Sequence, residues 1–105
     1  MTAGEPVTAG GHQAALVAVD MQVVFGRPGS PWATPGFDAA AAGLRRLLPA
    51  FAGRTVWTRY VAPAAPEGAW REYFDLWPFA LVSPEDPLYA IADGLDPAGA
   101  PVVTA

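Results

Sequence analysis

Asp20 closes a short run of small and apolar residues, Ala14–Asp20 (AALVAVD), and Met21, Gln22 and Phe25 follow it. An apolar run of this length suits a strand buried on both faces, as in a parallel sheet. In open parallel sheets, ligands bind beyond the carboxyl ends of the strands, and an acid at the last strand position stands there. A partly desolvated carboxylate in that place has the properties of a general base or a metal ligand. The alternative is that Asp20 only caps the following turn. Gln22 is a candidate to orient Asp20 or line a substrate pocket, or else to satisfy loop backbone groups. Phe25 and Trp32 are candidate walls of a substrate site, or aromatic pins holding a loop on the sheet. Arg59, near the end of a second apolar segment, has the fork geometry to meet a substrate carboxylate. A solvent-facing or Asp-paired arginine is the competing reading. Trp70, Tyr73, Phe74 and Trp77 recur at helical spacing, as core or as part of a lid. Arg45-Arg46 reads as a solvated helix face, and His12 has no evident role.

These residues must be held by few elements, because 105 residues make one domain at most. A chain of this size buries roughly 65% of its unfolded surface. Apolar residues make up 52% and charged residues 15%, which excludes a wholly disordered chain. Cysteine is absent, so disulfides, thiolate metal sites and a cysteine nucleophile are excluded within these residues. The six basic residues are all arginine, scattered along a chain of net charge −4, so nucleic-acid binding has little electrostatic support. No apolar run reaches the length a membrane helix needs. Residues 1–13 have neither a basic n-region nor an apolar core, so they are not read as a signal peptide, and the cytoplasm is the expected compartment.

Met1–Gln13 reads as a flexible leader. Met21–Gly36, rich in Gly and Pro, reads as a long loop. Phe37–Leu48 reads as a helix with Asp38 as its cap, facing the sheet with Leu44, Leu47, Leu48 and Phe51. Pro49 should end it and Gly53 close the connection. Arg54–Val61 (RTVWTRYV) reads as a second strand, and Ala62–Gly68 as another loop. Trp70–Trp77 reads as a short helix stopped by Pro78. Ser83-Pro84-Glu85-Asp86 resembles a helix start, with a helix expected to about Ala92. Pro101–Ala105 begins a third strand. The alternation implies βαβ units, right-handed crossovers and an α/β fold with three parallel strands.

The stretch LVAVDMQVVF resembles the opening of the isochorismatase-like cysteine hydrolases. The resemblance continues in order through Ser30-Pro31-Trp32, Thr55–Tyr60 (TVWTRY) and Gly68–Phe74 (GAWREYF), and so covers Ala14 to Ala105. It implies a partial Rossmann-like three-layer fold, with residues 14–105 as the N-terminal part of a hydrolase domain. It also implies an Asp, Lys and Cys triad in which the Asp takes the thiol proton. Asp20 matches the Asp. The chain has no lysine and no cysteine, so the resemblance implies a fragment that is inactive alone, through truncation or gene splitting. A degenerate domain kept for small-molecule binding or protein interaction is the alternative. Some relatives bind zinc through an Asp and histidines after the first two strands. Here the second strand ends Thr58-Arg59-Tyr60-Val61 without histidine, so no metal and no cofactor are expected. The expected partner is a small-molecule substrate, once the missing C-terminal part completes the site. In the family's sheet the first strand is covered on its other side by a fourth, so self-association through that exposed edge is expected. A phosphatase of the haloacid dehalogenase type would need an acid where Gln22 stands. A receiver domain would need an acidic cluster, and a dinucleotide site a glycine-rich turn after the first strand.

Overall fold

The computed structural model describes residues 14–105, so the expectations for the leader 1–13 and for His12 lie outside the described residues. Three strands form one sheet in the order β1-β2-β3: β1 (Leu16–Val19), β2 (Thr55–Arg59) and β3 (Val102–Thr104). Both pairings are parallel, with Val19 opposite Thr58 and Trp57 opposite Val102. Between them lie α1 (Val23–Gly26), α2 (Phe37–Leu47) and α3 (Ala69–Leu76). The architecture is the expected α/β fold with a three-stranded parallel sheet.

The sheet is covered on one face. Ala18 and Trp57 are buried there against Ala41 and Leu44 of α2, with Ala92 and Leu95 completing the cluster. Leu44 is buried, whereas Leu47, Leu48 and Phe51 are half-buried. On the opposite face Val17 is 55% exposed, Val19 61% and Val103 54%. The reading of β1 as buried on both faces is therefore corrected. An apolar run permits cover on both faces, but cover also needs a second helical layer. α3 does not supply that layer. Its Phe74 enters a separate cluster with Val24, Ala62, Ala80 and Tyr89, none of them in a strand.

Other boundaries moved for identifiable reasons. α2 is preceded by Gly36 at φ 81°, and Asp38 lies in its first turn without making a cap bond. There the carboxylate still complements the helix dipole. The regular helix ends at Leu47, as expected ahead of Pro49, and Pro49 itself sits inside a 3-10 turn, Leu48–Phe51. β2 ends at Arg59 because the Tyr60 N–H leaves the ladder and donates to Gln22 Oε1 at 2.7 Å. The helix expected from Ser83 to Ala92 is absent. In its place is a 3-10 turn, Pro87–Tyr89, capped by Asp86 Oδ1, which accepts from the Leu88 N–H at 2.9 Å. Pro87 has no N–H to continue a helix. The backbone beyond it is already in use, with Val23 N–H donating to Ala90 O and Ala92 N–H to Met21 O, each at 2.9 Å. These bonds frame an antiparallel bridge between Gln22 and Ile91. The loop expected over Met21–Gly36 likewise contains the one-turn α1.

Candidate functional site

β1 delivers Asp20 to the carboxyl end of the sheet, where the backbone turns sharply. Asp20 has φ 53°, in the left-handed region, which Asp tolerates better than most residues. Its carbonyl accepts the Gln22 N–H at 2.9 Å. Its own N–H lies 3.1 Å from Thr58 Oγ1, and the Thr58 hydroxyl donates to Asp20 Oδ1 at 2.8 Å. The second carboxylate oxygen has no hydrogen bond among the described residues. Asp20 is half-buried and lines a cavity of about 340 Å³. Phe25, Thr34, Pro35, Phe37 and Ala40 form much of the remaining wall. A carboxylate held by one hydroxyl and open on its other side is equipped to accept a proton from a group in that cavity. Among the described residues no three His, Cys, Asp or Glu side chains gather to hold a metal ion.

Of the other candidates only Phe25 joins Asp20 on this cavity. Of the two readings of Gln22, the structure supports the satisfaction of backbone groups and not pocket lining, because its side chain is completely buried. Its amide nitrogen donates to Tyr60 O at 2.7 Å and Tyr89 O at 2.9 Å, while its oxygen accepts from Tyr60 N–H. Gln22 is not among the residues that line the cavity. Trp32 is a hub rather than a wall. Its ring stacks on Phe25 with centroids 6.3 Å apart, and it meets Phe79 edge-on at 5.0 Å. Tyr60, Tyr73, Phe74 and Trp77 surround it further. It therefore pins the 27–36 loop. Of the aromatic stripe on α3, Phe74 is buried, but Trp70 is 59% and Tyr73 39% exposed. Arg59 is neither at the cavity nor paired with an aspartate. Its Nη1 donates to Pro84 O at 2.9 Å and its Nε to Thr104 Oγ1 at 3.4 Å, so it ties β2 to β3 and to the 83–86 loop. In that loop the Ser83 hydroxyl, followed by the Glu85 N–H, lowers the Glu85 carboxyl below its usual range, with Arg59 contributing less.

The residue that the sequence reading overlooked is Thr58, the partner of Asp20. Its signal is the parallel register, which sets it beside the end of β1. Gly26 is a second omission. A Cβ there would lie 2.3 Å from the Phe37 ring, so only glycine lets α1 approach the aromatic that walls the Asp20 cavity.

Tyr89 anchors the far side of the Gln22 clamp. It is completely buried, and its hydroxyl donates to Ala80 O. Burial, followed by the neighbouring Tyr60 phenol, pushes that hydroxyl from 10.0 up to about 12. The folded state thus holds this proton more tightly than the unfolded chain does. The associated stability is complete below pH 10.0 and is lost as pH rises through about 12. Urea unfolding midpoints should fall across that interval, and Tyr89→Phe should flatten the fall. An equally steep fall in the variant would remove Tyr89 as its source.

No family model, curated protein or solved structure matches this chain.

Proposed function

We propose that these residues form the general-base half of an isochorismatase-like cysteine hydrolase acting on an amide, carbamoyl or related bond of a small molecule. The observation that carries the reading is Asp20. It ends the first parallel strand in a left-handed turn, is steadied by Thr58, and borders a cavity with one carboxylate oxygen free. In this chemistry Asp20 takes the proton of a cysteine thiol. The thiolate adds to the carbonyl carbon, the C–N bond breaks, and water releases the acyl group. Neither cysteine nor lysine is among the 105 residues. A catalytic group acting as a unit loses nearly all its rate when the nucleophile is missing.

Two measurements test this. The 105-residue chain alone should hydrolyse amides and carbamoyl compounds no faster than solvent does, and Asp20→Asn should change nothing. The coding sequence after codon 105 should supply a lysine and, further on, a cysteine. In that longer product Asp20→Asn should lower kcat by about 10²- to 10⁴-fold. A frame without cysteine, or full activity in the Asp20→Asn product, overturns the reading in favour of a binding module.

The sheet edge supports the same reading. Among the described residues β1 pairs only with β2, so its outer N–H and C=O groups face away from the ladder on an uncharged apolar strand. Such an edge recruits another strand. Sedimentation should show concentration-dependent association of the isolated chain. A monodisperse monomer over a wide concentration range would contradict the edge argument.

A further inference from the structure

A larger cavity lies beside the Asp20 cavity, and the two share the Phe37 ring as a wall. Its volume is about 620 Å³, within the range of small-molecule sites. Apolar groups from Val23, Pro87 and Ala90 line it, but four charged side chains set its character: Arg27, Asp38, Arg45 and Asp93. They come from three different elements. Asp38 and Arg45 stand on α2 with Ala41 between them, Arg27 follows α1, and Asp93 belongs to the turn after the Gln22–Ile91 bridge. The sequence alone places Arg45 on a solvated helix face and makes Asp38 a helix cap. The fold turns both toward one concavity.

Two guanidiniums and two carboxylates around one cavity would ordinarily neutralise each other. Among the described residues, no hydrogen bond or ion pair is formed by any of these four side chains. Arg45, one of the lining residues, also reaches the neighbouring turn. Its Nη1 would lie 3.7 Å from a Cβ placed on Gly94, so the guanidinium stands over the turn that carries Asp93. The charges are thus distributed around the cavity rather than spent on one another. A guanidinium fork is suited to a carboxylate, and an unpaired carboxylate is suited to an ammonium group.

We propose that this cavity binds a small amino-acid zwitterion, with Arg27 and Arg45 receiving its carboxylate and Asp38 and Asp93 its ammonium group. The apolar wall of Val23, Pro87 and Ala90 takes the aliphatic part between them. This site does not depend on the hydrolase reading, because it uses neither Asp20 nor any residue outside the chain.

The test is a titration of the isotopically labelled 105-residue chain, followed by backbone amide shifts in NMR. The probes are 5-aminopentanoate, pentanoate and pentylamine, which share a carbon chain and differ in their charged ends. The expected result is saturable binding of the aminopentanoate at about millimolar Kd or tighter. Its shifts should centre on residues 27, 38, 45 and 93. Loss of either charged end, or Arg45→Gln, should weaken binding by about tenfold to a hundredfold, the scale of one charge-assisted hydrogen bond. Asp93→Asn should weaken the aminopentanoate and leave pentanoate unaffected. Asp20→Asn should leave all three unchanged, which separates this site from the hydrolase reading. Both Arg45 and Asp93 are exposed, and their variants should melt with the parent. No saturable shift, equal affinity for all three probes, or binding indifferent to both Arg45→Gln and Asp93→Asn would overturn the proposal.

Discussion

Replacing Gln22 by leucine should destabilise the protein by about 3 kcal/mol or more, although the two side chains are similar in size. The amide of Gln22 satisfies three backbone groups at once: Tyr60 O, Tyr89 O and the Tyr60 N–H. Its side chain is completely buried, so water does not replace those bonds when the amide is lost. A buried polar group left without a partner costs about 1–3 kcal/mol, and leucine would leave three of them. The clamp also joins three segments distant in sequence, since residue 22 is 38 positions from Tyr60 and 67 from Tyr89. Urea unfolding of the leucine variant should show a much lower midpoint, or no folded baseline. Gln22→Glu separates shape from hydrogen bonding, because it retains an acceptor for Tyr60 N–H but loses the donors. It should fall between the parent and leucine at low pH, where the carboxyl is protonated and donates one bond. A leucine variant within 1 kcal/mol of the parent, a loss below that of a single orphaned group, would show that the clamp is dispensable.

Trp57→Ala should cost about 3–5 kcal/mol, the usual range for emptying a buried aromatic site. Trp57 is the largest completely buried side chain and meets both Ala18 of β1 and the α2 face. Domains of this kind have about 5–15 kcal/mol of stability in total, so the alanine variant should stand near the unfolding threshold. Trp57→Phe should be far milder, at about 1 kcal/mol. The reason is the indole N–H, which is buried without a hydrogen-bond partner among the described residues. Phenylalanine removes that donor together with some volume, and the relief of an unpaired polar group offsets part of the cavity. Thermal melts of both variants decide the matter. A phenylalanine variant as unstable as the alanine one would mean that the N–H contributes a bond.

The strands and the main helix were legible in the chain because their signals are local. AALVAVD, RTVWTRYV and the alanine- and leucine-rich segment between them produced β1, β2 and α2 close to the expected places. Asp20 was legible too, since an acid at the end of an apolar strand reaches the carboxyl end of a parallel sheet however the rest packs. The absence of cysteine and lysine is likewise a property of composition alone, and no arrangement in space alters it.

What pairs with what was settled in three dimensions. The 83–92 segment carries a plausible helix start, yet Pro87 and the bonds to Met21 and Val23 hold it in a turn and a bridge. Gln22 is polar beside a candidate acid, but only the approach of residues 60 and 89 shows that its amide is committed to backbone groups. From the sequence, Trp32 is a substrate wall or a loop pin, Arg59 a substrate, solvent or aspartate contact, and Arg45 part of a solvated helix face. The fold gave the first to an aromatic cluster, the second to Pro84 and Thr104, and the third to a charged cavity. Local propensity depends on a few neighbouring residues, whereas the partner of a side chain depends on which distant backbone arrives beside it. The pattern of the chain therefore specified the strands, α2 and the position of Asp20, whereas packing decided the 83–92 segment and which polar groups remained free to act.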